Sequence, residues 1–303
     1  MISVLSGGVG AARLLAALRH YDPQLELDAV VNVGDDLTLH GLTICPDLDT
    51  ITYTLAGLHN DETGWGLAGE TWRVMDELAS LGGAAWFRLG DRDLATHLYR
   101  SQRLAEGATK TEVARELGEH FSLGVRLLPA SDDTVATVLE TEVGTLSFQE
   151  YFVAHRHDVR VTHVRVEAGA ARPTPDVLAS LRRARRIVIA PSNPVLSIDP
   201  ILALSPVREI LRERRDDVVA VSPLVGGRAL KGPAERLLRE LGHRPDSLGV
   251  AQLYHDVAGT LVIDHLDAEL ADGVRELGLR CVVTTTVMAD PLDARRLCEA
   301  VTA

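Results

Sequence analysis

The sequence predicts an α/β protein built on a doubly wound, Rossmann-like and mostly parallel sheet, with a helical and β-hairpin insertion. Three features support this prediction. The apolar residues 2–5 lead directly into a glycine loop and a helical pattern of leucines. Strand-like and helix-like segments alternate at both ends of the chain. Arg186 is followed by an apolar run at residues 187–190, which is typical of a parallel strand covered by helices on both faces.

The individual elements follow from hydrophobic periodicity and from capping and turn residues. The predicted strands are 2–5, 29–31, 84–89, 186–190, 218–221, 260–263 and 280–283. The predicted helices after the glycine loop are 70–81, 94–105, 111–121, 174–183, 233–241, 267–277 and 291–301. Thr109 and Glu112 have the spacing of a capping box before one of these helices. Thr174 and Pro175 supply an N-cap and a proline at the first position of another.

The middle of the chain departs from the strand–helix alternation. Residues 135–143 and 145–153 alternate in polarity on either side of Gly144, which predicts a hairpin. Together with the helices before it, this hairpin forms a predicted insertion between about residues 60 and 175. No linker or repeat divides the chain, so we expect a single elaborated α/β domain over residues 1–303.

Composition excludes several classes of protein. The 303 residues are 46% hydrophobic and carry a net charge of −12, which argues against broad binding of nucleic acid or anionic membranes. Three cysteines without C-x-x-C spacing support neither a disulfide framework nor a zinc site. The sequence contains no signal-peptide pattern and no apolar stretch of membrane-spanning length. We therefore expect a soluble cytoplasmic protein.

The glycine loop predicts a phosphate site. Gly7, Gly8 and Gly10 stand between a strand and a helix N-terminus, where backbone N–H groups and the helix dipole favour anions. Arg13 is predicted in the first turn of the helix, where a cation opposes the helix dipole unless an anion neutralises it. The loop is not a P-loop, and Arg13 replaces the last glycine of the dinucleotide fingerprint. The alternative is a tight turn that binds nothing.

Four aspartates predict a magnesium site. Asp35, Asp36, Asp47 and Asp49 lie within fifteen residues in and after the loop that follows the second strand. Carboxylates in such proximity repel one another unless a cation or solvent offsets the cost, and hard cations prefer oxygen ligands. The alternative makes Asp35 and Asp36 a solvated turn and Asp49 a helix N-cap. That alternative explains one or two of these residues but not all four.

Two later loops resemble the first in placement. Ser192 and Asn193 follow one strand, and Ser222 follows the next, ahead of a glycine-rich segment that contains Lys231. Strand C-termini converge in a parallel sheet, so these loops are predicted to face the same ligand. Lys231 is a candidate phosphate contact. Rigid turn chemistry and a solvated lysine remain the alternatives, and His97 is expected to be structural.

These motifs together resemble the 2-phospho-L-lactate transferase family of coenzyme F-420 biosynthesis, whose bacterial members act as phosphoenolpyruvate transferases. The similarity runs nearly end to end. It rests on SGGVGAAR (6–13), NVGDD (32–36), ICPDLDT (44–50), LGDRD with ATH (89–93 and 95–97), LPASDD (128–133), FQE (148–150), PSNP (191–194) and the segment 222–233.

The resemblance implies a reaction. The ribityl hydroxyl of the deazaflavin Fo attacks a phosphorus of lactyl- or enolpyruvyl-diphosphoguanosine, and GMP leaves. The guanylyl group is expected at the glycine loop and at the loops after residues 191 and 222. Fo and Mg²⁺ are expected near the aspartates, with Asp49 matching the deazaflavin-binding aspartate. Arg88 stands where archaeal relatives commonly have lysine. Val9 and Arg13 look bacterial and favour the enolpyruvyl donor.

On this basis Asp47 and Asp49 are the predicted catalytic residues and first metal ligands, with Asp35 and Asp36 as second choices. Lys231 and Arg13 are expected to hold the leaving guanylate. An aspartate of the cluster is the candidate base, and relatives suggest a homodimer. Two other classes stay open at this point. They are a nicotinamide-dependent oxidoreductase and a non-catalytic protein that binds GDP.

Overall fold

Within the residues that the structure describes, 1–62 and 64–303, a seven-stranded parallel sheet forms the centre of this computed structural model. The described strands are β1 (Ile2–Ser6), β2 (Leu27–Val31), β3 (Leu37–Leu39), β4 (Leu42–Ile44), β5 (Arg126–Pro129), β6 (Ala136–Thr141), β7 (Gly144–Ser147), β8 (Val161–Glu167), β9 (Arg186–Ile189), β10 (Val218–Val221), β11 (Leu224–Val225), β12 (Arg228–Ala229), β13 (Thr260–Asp264) and β14 (Arg280–Thr284).

Helices cover both faces of this sheet. The described α-helices are α1 (Gly8–Tyr21), α2 (Pro46–Leu55), α3 (Arg73–Ser80), α4 (Asp93–Ala105), α5 (Lys110–His120), α6 (Pro175–Arg183), α7 (Asp199–Leu202), α8 (Val207–Glu213), α9 (Ala234–Glu240), α10 (Ser247–Tyr254), α11 (Ala271–Glu276) and α12 (Pro291–Thr302). Short π-helices span Glu150–Ala154 and Pro194–Ile198, and 3₁₀ turns span Arg215–Asp217 and His265–Leu270. Among the described helices, none is long and apolar enough to cross a membrane.

The order of the strands creates a crevice in the middle of the sheet. The order is β14-β13-β10-β9-β1-β2-β5, and every neighbouring pair is parallel. The chain moves outward from β1 to β2 and β5, then returns to β9 on the other side of β1. Leu5 is level with Ile189, so the loops after β1 and β9 leave the sheet side by side. This is the topological switch point, where ligands bind in open α/β sheets.

The core confirms the predicted fold class. Val4 packs with Leu14 of α1 on one face of the sheet, while Leu5 packs with the cluster of α6 and α8 on the other. Every residue of β1 is buried, because alternate side chains enter opposite cores. The predicted parallel strands near both ends of the chain are confirmed, and so are the capping box at Thr109 and the N-cap at Thr174.

The middle of the chain differs in detail from its prediction. The strand predicted at 84–89 is wrong, because Phe87 and Leu89 bury their side chains in a small core while their backbone pairs with no strand. The predicted hairpin exists as β6 and β7, but its second arm ends at Ser147 and continues as a π-helix. The strands β5 and β8 and the β3–β4 hairpin were not predicted. β5 lies inside the predicted insertion yet forms an edge of the central sheet.

Candidate functional site

A cavity of about 300 Å³ opens at the switch point of the sheet, and we call it the inner cavity. Loops that follow β1, β2, β9 and β10 line it, together with α2, α4 and the π-helix after β7. A second space of about 1090 Å³, the outer groove, lies beside α1 and α12. Val9, Arg13, Lys231 and Met288 line both spaces and mark their junction.

The glycine loop lets two strand ends approach closely. A Cβ atom on Gly10 would lie 2.1 Å from the carbonyl oxygen of Pro191, and one on Gly7 would lie 2.6 Å from Cβ of Ser197. Real Cβ contacts are not that short, so only glycine permits this packing. The Gly8 N–H donates a hydrogen bond to Asp47 Oδ1 at 2.8 Å. One donor of the predicted phosphate loop is therefore directed at the protein's own carboxylate.

Asp35 and Asp47 form a buried pair of carboxylates beside this loop. Asn32 Nδ2 donates to Asp47 Oδ2 at 2.9 Å, and burial raises the pKa of Asp47 to about 6. Burial, and then the neighbouring Asp47, raise the pKa of Asp35 well above its ordinary value. Asp35 Oδ1 is buried without a hydrogen-bond partner among the described residues. Asp35 is 5% exposed, so the alternative of a solvated turn is wrong for it.

Asp36 and Asp49 are occupied by cations of the protein itself. Lys110 Nζ lies 3.0 Å from Asp36 Oδ2, although burial still raises the pKa of Asp36. Arg100 binds both oxygens of Asp49, with Nη1 3.1 Å from Oδ2. Asp49 lies inside α2, whose N-cap is Cys45, so the N-cap alternative is wrong.

The four aspartates therefore do not converge on one point. Among the described side chains, no group of three or more His, Cys, Asp or Glu is arranged to hold a metal ion. This differs from the four-carboxylate cluster expected from the sequence. Lys110 and Arg100 offset the charges of Asp36 and Asp49. Asp47 instead accepts from two neutral donors, the Gly8 N–H and Asn32 Nδ2, and Asp35 Oδ1 has no partner among the described residues. Their oxygen chemistry suits a hard cation such as Mg²⁺.

A buried network that the sequence did not reveal surrounds Asp49. Tyr53 donates to Asp93 Oδ1 at 2.6 Å. His97 lies between two carboxylates, with Nε2 3.1 Å from Asp93 Oδ2 and Nδ1 3.7 Å from Asp49 Oδ2. The 3.1 Å contact is close but not aligned as a hydrogen bond. The i,i+4 spacing of Asp93 and His97 on α4 was the signal available in the sequence. Tyr53, Asp93 and His97 line the inner cavity.

The hydroxyl and amide groups of the later loops shape the backbone. Ser192 Oγ donates to the Gly7 carbonyl at 2.8 Å. Asn193 Oδ1 accepts from the N–H groups of Val195 and Leu196 at 3.0 and 3.2 Å. Ser222 Oγ lies 2.9 Å from Ser247 Oγ. Ser192, Asn193 and Ser222 all line the inner cavity, and these contacts fix the loops that surround it.

The predicted cations lie at the rim. Arg13 is exposed in the second turn of α1, not the first, and its Nη2 donates to the Met288 carbonyl at 2.9 Å. Lys231 lies at the junction of the two spaces, where its Nζ packs against Gly64. Arg88 lines the inner cavity. Its Nη2 lies 2.6 Å from Asp76 Oδ1, and its Cζ lies 5.1 Å from the ring centroid of Trp72.

Comparison with known proteins places this site in a family. The sequence profile of the family described as 2-phospho-L-lactate transferase CofD matches residues 2–287. The chain belongs to this family. It is therefore a transferase, and the resemblance seen in the sequence motifs is confirmed.

Similar proteins cover the chain almost completely. A protein named phosphoenolpyruvate transferase from Streptomyces griseus is 42% identical over 298 residues, which are 95% of this chain and 93% of that protein. A protein named 2-phospho-L-lactate transferase from Methanospirillum hungatei is 37% identical over 300 residues, covering 98% of this chain and 97% of that one. A UPF0052 family protein of Bacillus halodurans, whose crystal structure is known, superposes with a TM-score of 0.64. At 15% identity over 100% of this chain and 98% of that one, it shares the fold.

Membership in a transferase family argues against the nicotinamide alternative, and the geometry agrees with this. A dinucleotide site would need the carboxylate after β2 to reach a ribose. Asp35 instead is buried against Asp47.

Proposed function

We propose that this enzyme transfers a phosphoenolpyruvyl group from enolpyruvyl-diphosphoguanosine to the ribityl hydroxyl of the deazaflavin Fo, as a step of coenzyme F-420 biosynthesis. The hydroxyl oxygen forms a bond to the phosphorus that carries the enolpyruvyl ester. The bond from that phosphorus to the bridging oxygen breaks, and GMP leaves with the electron pair. The observation that carries the proposal is the Asp35–Asp47 pair beside the glycine loop at the switch point of a transferase of this family.

The aspartates divide into two roles in this proposal. Asp35 and Asp47 would hold Mg²⁺, which when bound neutralises the diphosphate charge. The unpartnered Asp35 Oδ1 is the oxygen proposed to accept the proton of the attacking hydroxyl, since a buried acceptor without a hydrogen-bond partner is available to it. Asp49, paired with Arg100, positions the acceptor. Asp36 is assigned to folding through Lys110.

The leaving guanylate is proposed to lie at the junction of the inner cavity and the outer groove. Arg13 and Lys231 both line this junction and supply positive charge for the phosphates. The loops that contain Ser192, Asn193 and Ser222 form the adjoining wall. GDP and GMP would then occupy the same place as the guanylyl part of the donor.

The enolpyruvyl donor is favoured over the lactyl donor for two reasons. Val9 and Arg13 follow the bacterial form of the glycine loop. The relative named phosphoenolpyruvate transferase is also more similar, at 42% identity, than the relative named for phospholactate, at 37%. We propose a homodimer as the assembly, and light scattering coupled to gel filtration tests it.

Chromatographic measurement of GMP tests the activity. The purified protein with Mg²⁺, Fo and enolpyruvyl-diphosphoguanosine should release GMP in proportion to the phosphodiester formed. The lactyl donor should react more slowly, and omission of Fo or addition of EDTA should stop the release. Equal or faster turnover of the lactyl donor would refute the donor assignment. No release from either donor would refute the function.

A further inference from the structure

A ring of hydrogen bonds closes behind the hairpin formed by β11 and β12. Ser222 Oγ accepts from the Leu224 N–H at 3.2 Å and lies 2.9 Å from Ser247 Oγ. Ser247 Oγ donates to Asp267 Oδ2 at 3.1 Å, and the same carboxylate oxygen accepts from the Gly226 N–H at 3.2 Å. The bonds therefore start and end on one hairpin, and we call this ring the hairpin anchor.

The proton inventory gives the hairpin anchor one direction. A carboxylate only accepts hydrogen bonds, and each serine hydroxyl has one proton to donate. The Ser247 proton is committed to Asp267, so Ser222 is the donor in the 2.9 Å contact between the two serines. Ser222 Oγ in turn accepts from the hairpin backbone. Asp267 is therefore the final acceptor of the whole series of bonds.

The side chains of the hairpin anchor are shielded from water. Ser247 is 0% exposed, Ser222 1% and Asp267 4%. A buried donor that loses its acceptor keeps its desolvation cost, so removal of the Asp267 carboxylate strands the Ser247 hydroxyl and releases the hairpin tip. Ser222 lines the inner cavity, whereas Ser247 and Asp267 lie outside the described lining of both spaces. They can influence a ligand only through the hairpin.

The hairpin is held a second time where it leads toward the nucleotide site. Glu235 Oε2 accepts from the Ala229 N–H at 2.7 Å. Lys231 follows two residues later and lines both the inner cavity and the outer groove. Gly226 at the tip has no side chain with which to pack, so the position of the tip depends on backbone contacts such as the one to Asp267.

We propose that Asp267 and Ser247 are positioning residues, which hold Lys231 at the nucleotide phosphates by fixing the hairpin that precedes it. This inference rests on the proposed function, because it takes Lys231 as a contact of the leaving guanylate. Without the hairpin anchor the hairpin adopts other positions, and the fraction of protein with Lys231 in place falls. The apparent affinity for the nucleotide falls with that fraction.

A double-mutant cycle on GDP affinity tests this role, with calorimetry as the measurement. Asp267→Ala and Ser247→Ala should each bind GDP about 10-fold more weakly than wild type. Asp267→Asn, which keeps an acceptor oxygen, should bind GDP more tightly than Asp267→Ala. In a Lys231→Ala background, Asp267→Ala should change the dissociation constant by less than about twofold, since residues that act through one contact are not additive.

Asp28→Asn is the matched control for a loss of stability. Asp28 is also 4% exposed, and it accepts from Arg126 Nη2 at 2.7 Å near the amino ends of the strands, away from the crevice. This variant should have a lower melting temperature than wild type yet bind GDP within about twofold of it. Melting curves show whether each variant is folded. If Asp267→Ala does not fold, Ser247→Ala with Lys231→Ala provides the same cycle.

Additive losses in the double variant would overturn the proposal, because Asp267 would then act independently of Lys231. It would also be overturned by equal losses in Asp267→Asn and Asp267→Ala, by wild-type GDP affinity in both alanine variants of the anchor, or by an equal loss in Asp28→Asn. Absence of GDP binding by wild type would overturn it as well. A non-additive cycle in a protein that releases no GMP from the donor would refute the proposed function alone. GMP release by wild type together with additive losses would refute this inference alone.

Discussion

The ion pair of Asp49 and Arg100 gives the sharpest prediction at the scale of single residues. Both side chains are buried, at 6% and 2% exposure, and breaking a buried pair leaves an uncompensated charge. Asp49→Asn should therefore lower the free energy of unfolding by about 3–5 kcal/mol, measured by urea denaturation. The double variant Asp49→Asn/Arg100→Met should lose less than the sum of the single variants. Glu119→Gln, at the exposed pair with Arg115, is the control and should cost under about 1 kcal/mol. If Asp49→Asn has the same free energy of unfolding as wild type, the Asp49–Arg100 ion pair does not stabilise the fold.

Asp47 predicts a dependence of stability on pH in buffer without divalent cations. Its pKa is raised to about 6 by burial, whereas an unfolded aspartate has a pKa of about 4. The folded protein therefore holds this proton more tightly, and the stabilisation present below pH 4 is lost as the pH rises through about 6. Replacement by Asn removes the effect. The melting temperature of wild type minus that of Asp47→Asn should thus fall between pH 4 and pH 7.

The exposed Asp272 provides the control for this titration. Asp272→Asn should follow the wild-type pH dependence, because its carboxylate remains in solvent in both states. A difference between wild type and Asp47→Asn that stays constant from pH 4 to pH 7 would show that Asp47 is not desolvated as the fold implies.

Lys231 lines both the inner cavity and the outer groove, which predicts a role in nucleotide affinity. Lys231→Ala should remove a charge-assisted hydrogen bond to phosphate worth roughly 1.5–3 kcal/mol. Calorimetry should then show GDP binding weakened about 10- to 100-fold. Arg228→Ala removes a cation from β12, just before Lys231 in the chain but outside the lining of both spaces, and should leave the affinity unchanged. Equal GDP affinity in Lys231→Ala and wild type would place the ammonium group away from the phosphates.

Single residues also show where sequence reasoning ends. The cluster of aspartates was visible because its members are close in the chain. Their partners Arg100 and Lys110 were not, since they lie 51 and 74 positions from Asp49 and Asp36 and only the packing of α4 and α5 brings them near. The sequence correctly indicated that the charges of neighbouring aspartates must be offset. Two of the four aspartates, Asp36 and Asp49, pair with cations of the protein itself.

At the scale of elements, the close packing of α1 against the loop after β9 depends on Gly10. An added Cβ would lie 2.1 Å from a backbone oxygen of Pro191, and a backbone oxygen cannot rotate away as a side chain can. Gly10→Ala should destabilise the protein by about 1–3 kcal/mol and weaken GDP binding by displacing the glycine loop. Gly118→Ala in α5, where the nearest atom is 3.9 Å away, should stabilise by about 0.5–1 kcal/mol. If Gly10→Ala and Gly118→Ala change the free energy of unfolding by the same amount and in the same direction, steric contact with Pro191 is not the reason that position 10 requires glycine.

Elements with a repeating signal were predictable, and irregular ones were not. The strands β1, β9, β10, β13 and β14 are apolar runs, and the helix α5 carries its own capping box. The segment around Phe87 is equally apolar, but its side chains are buried by neighbours distant in sequence and its backbone joins no sheet. The π-helix after β7 continues an alternating pattern that reads as a strand. Periodicity reports which side chains are buried, not which backbone partner is available.

At the scale of the whole molecule, strand order explains why residues from distant parts of the sequence meet. The chain reverses direction across the sheet between β1 and β9. Loops that begin near residues 7, 35, 191 and 222 therefore open into one crevice, as the convergence of strand ends predicts. The sequence predicted the loops and the edge of the sheet at which they meet. The cavity walls contributed by α4 and the π-helix depended on tertiary packing.

The same architecture predicts which nucleotide stabilises the molecule. A ligand that binds the folded state alone, at a free concentration 100-fold above its dissociation constant, adds about 2.7 kcal/mol to the free energy of unfolding. For a chain of 303 residues this corresponds to a rise of about 4 °C in melting temperature. GDP should produce such a rise in a thermal-shift assay, and Fo should add a separate one, because the two occupy different parts of the crevice. NAD⁺ at the same concentration should produce none, since Asp35 is buried against Asp47 and cannot reach a ribose. If NAD⁺ raises the melting temperature as much as GDP does, the prediction is wrong and the crevice binds dinucleotides.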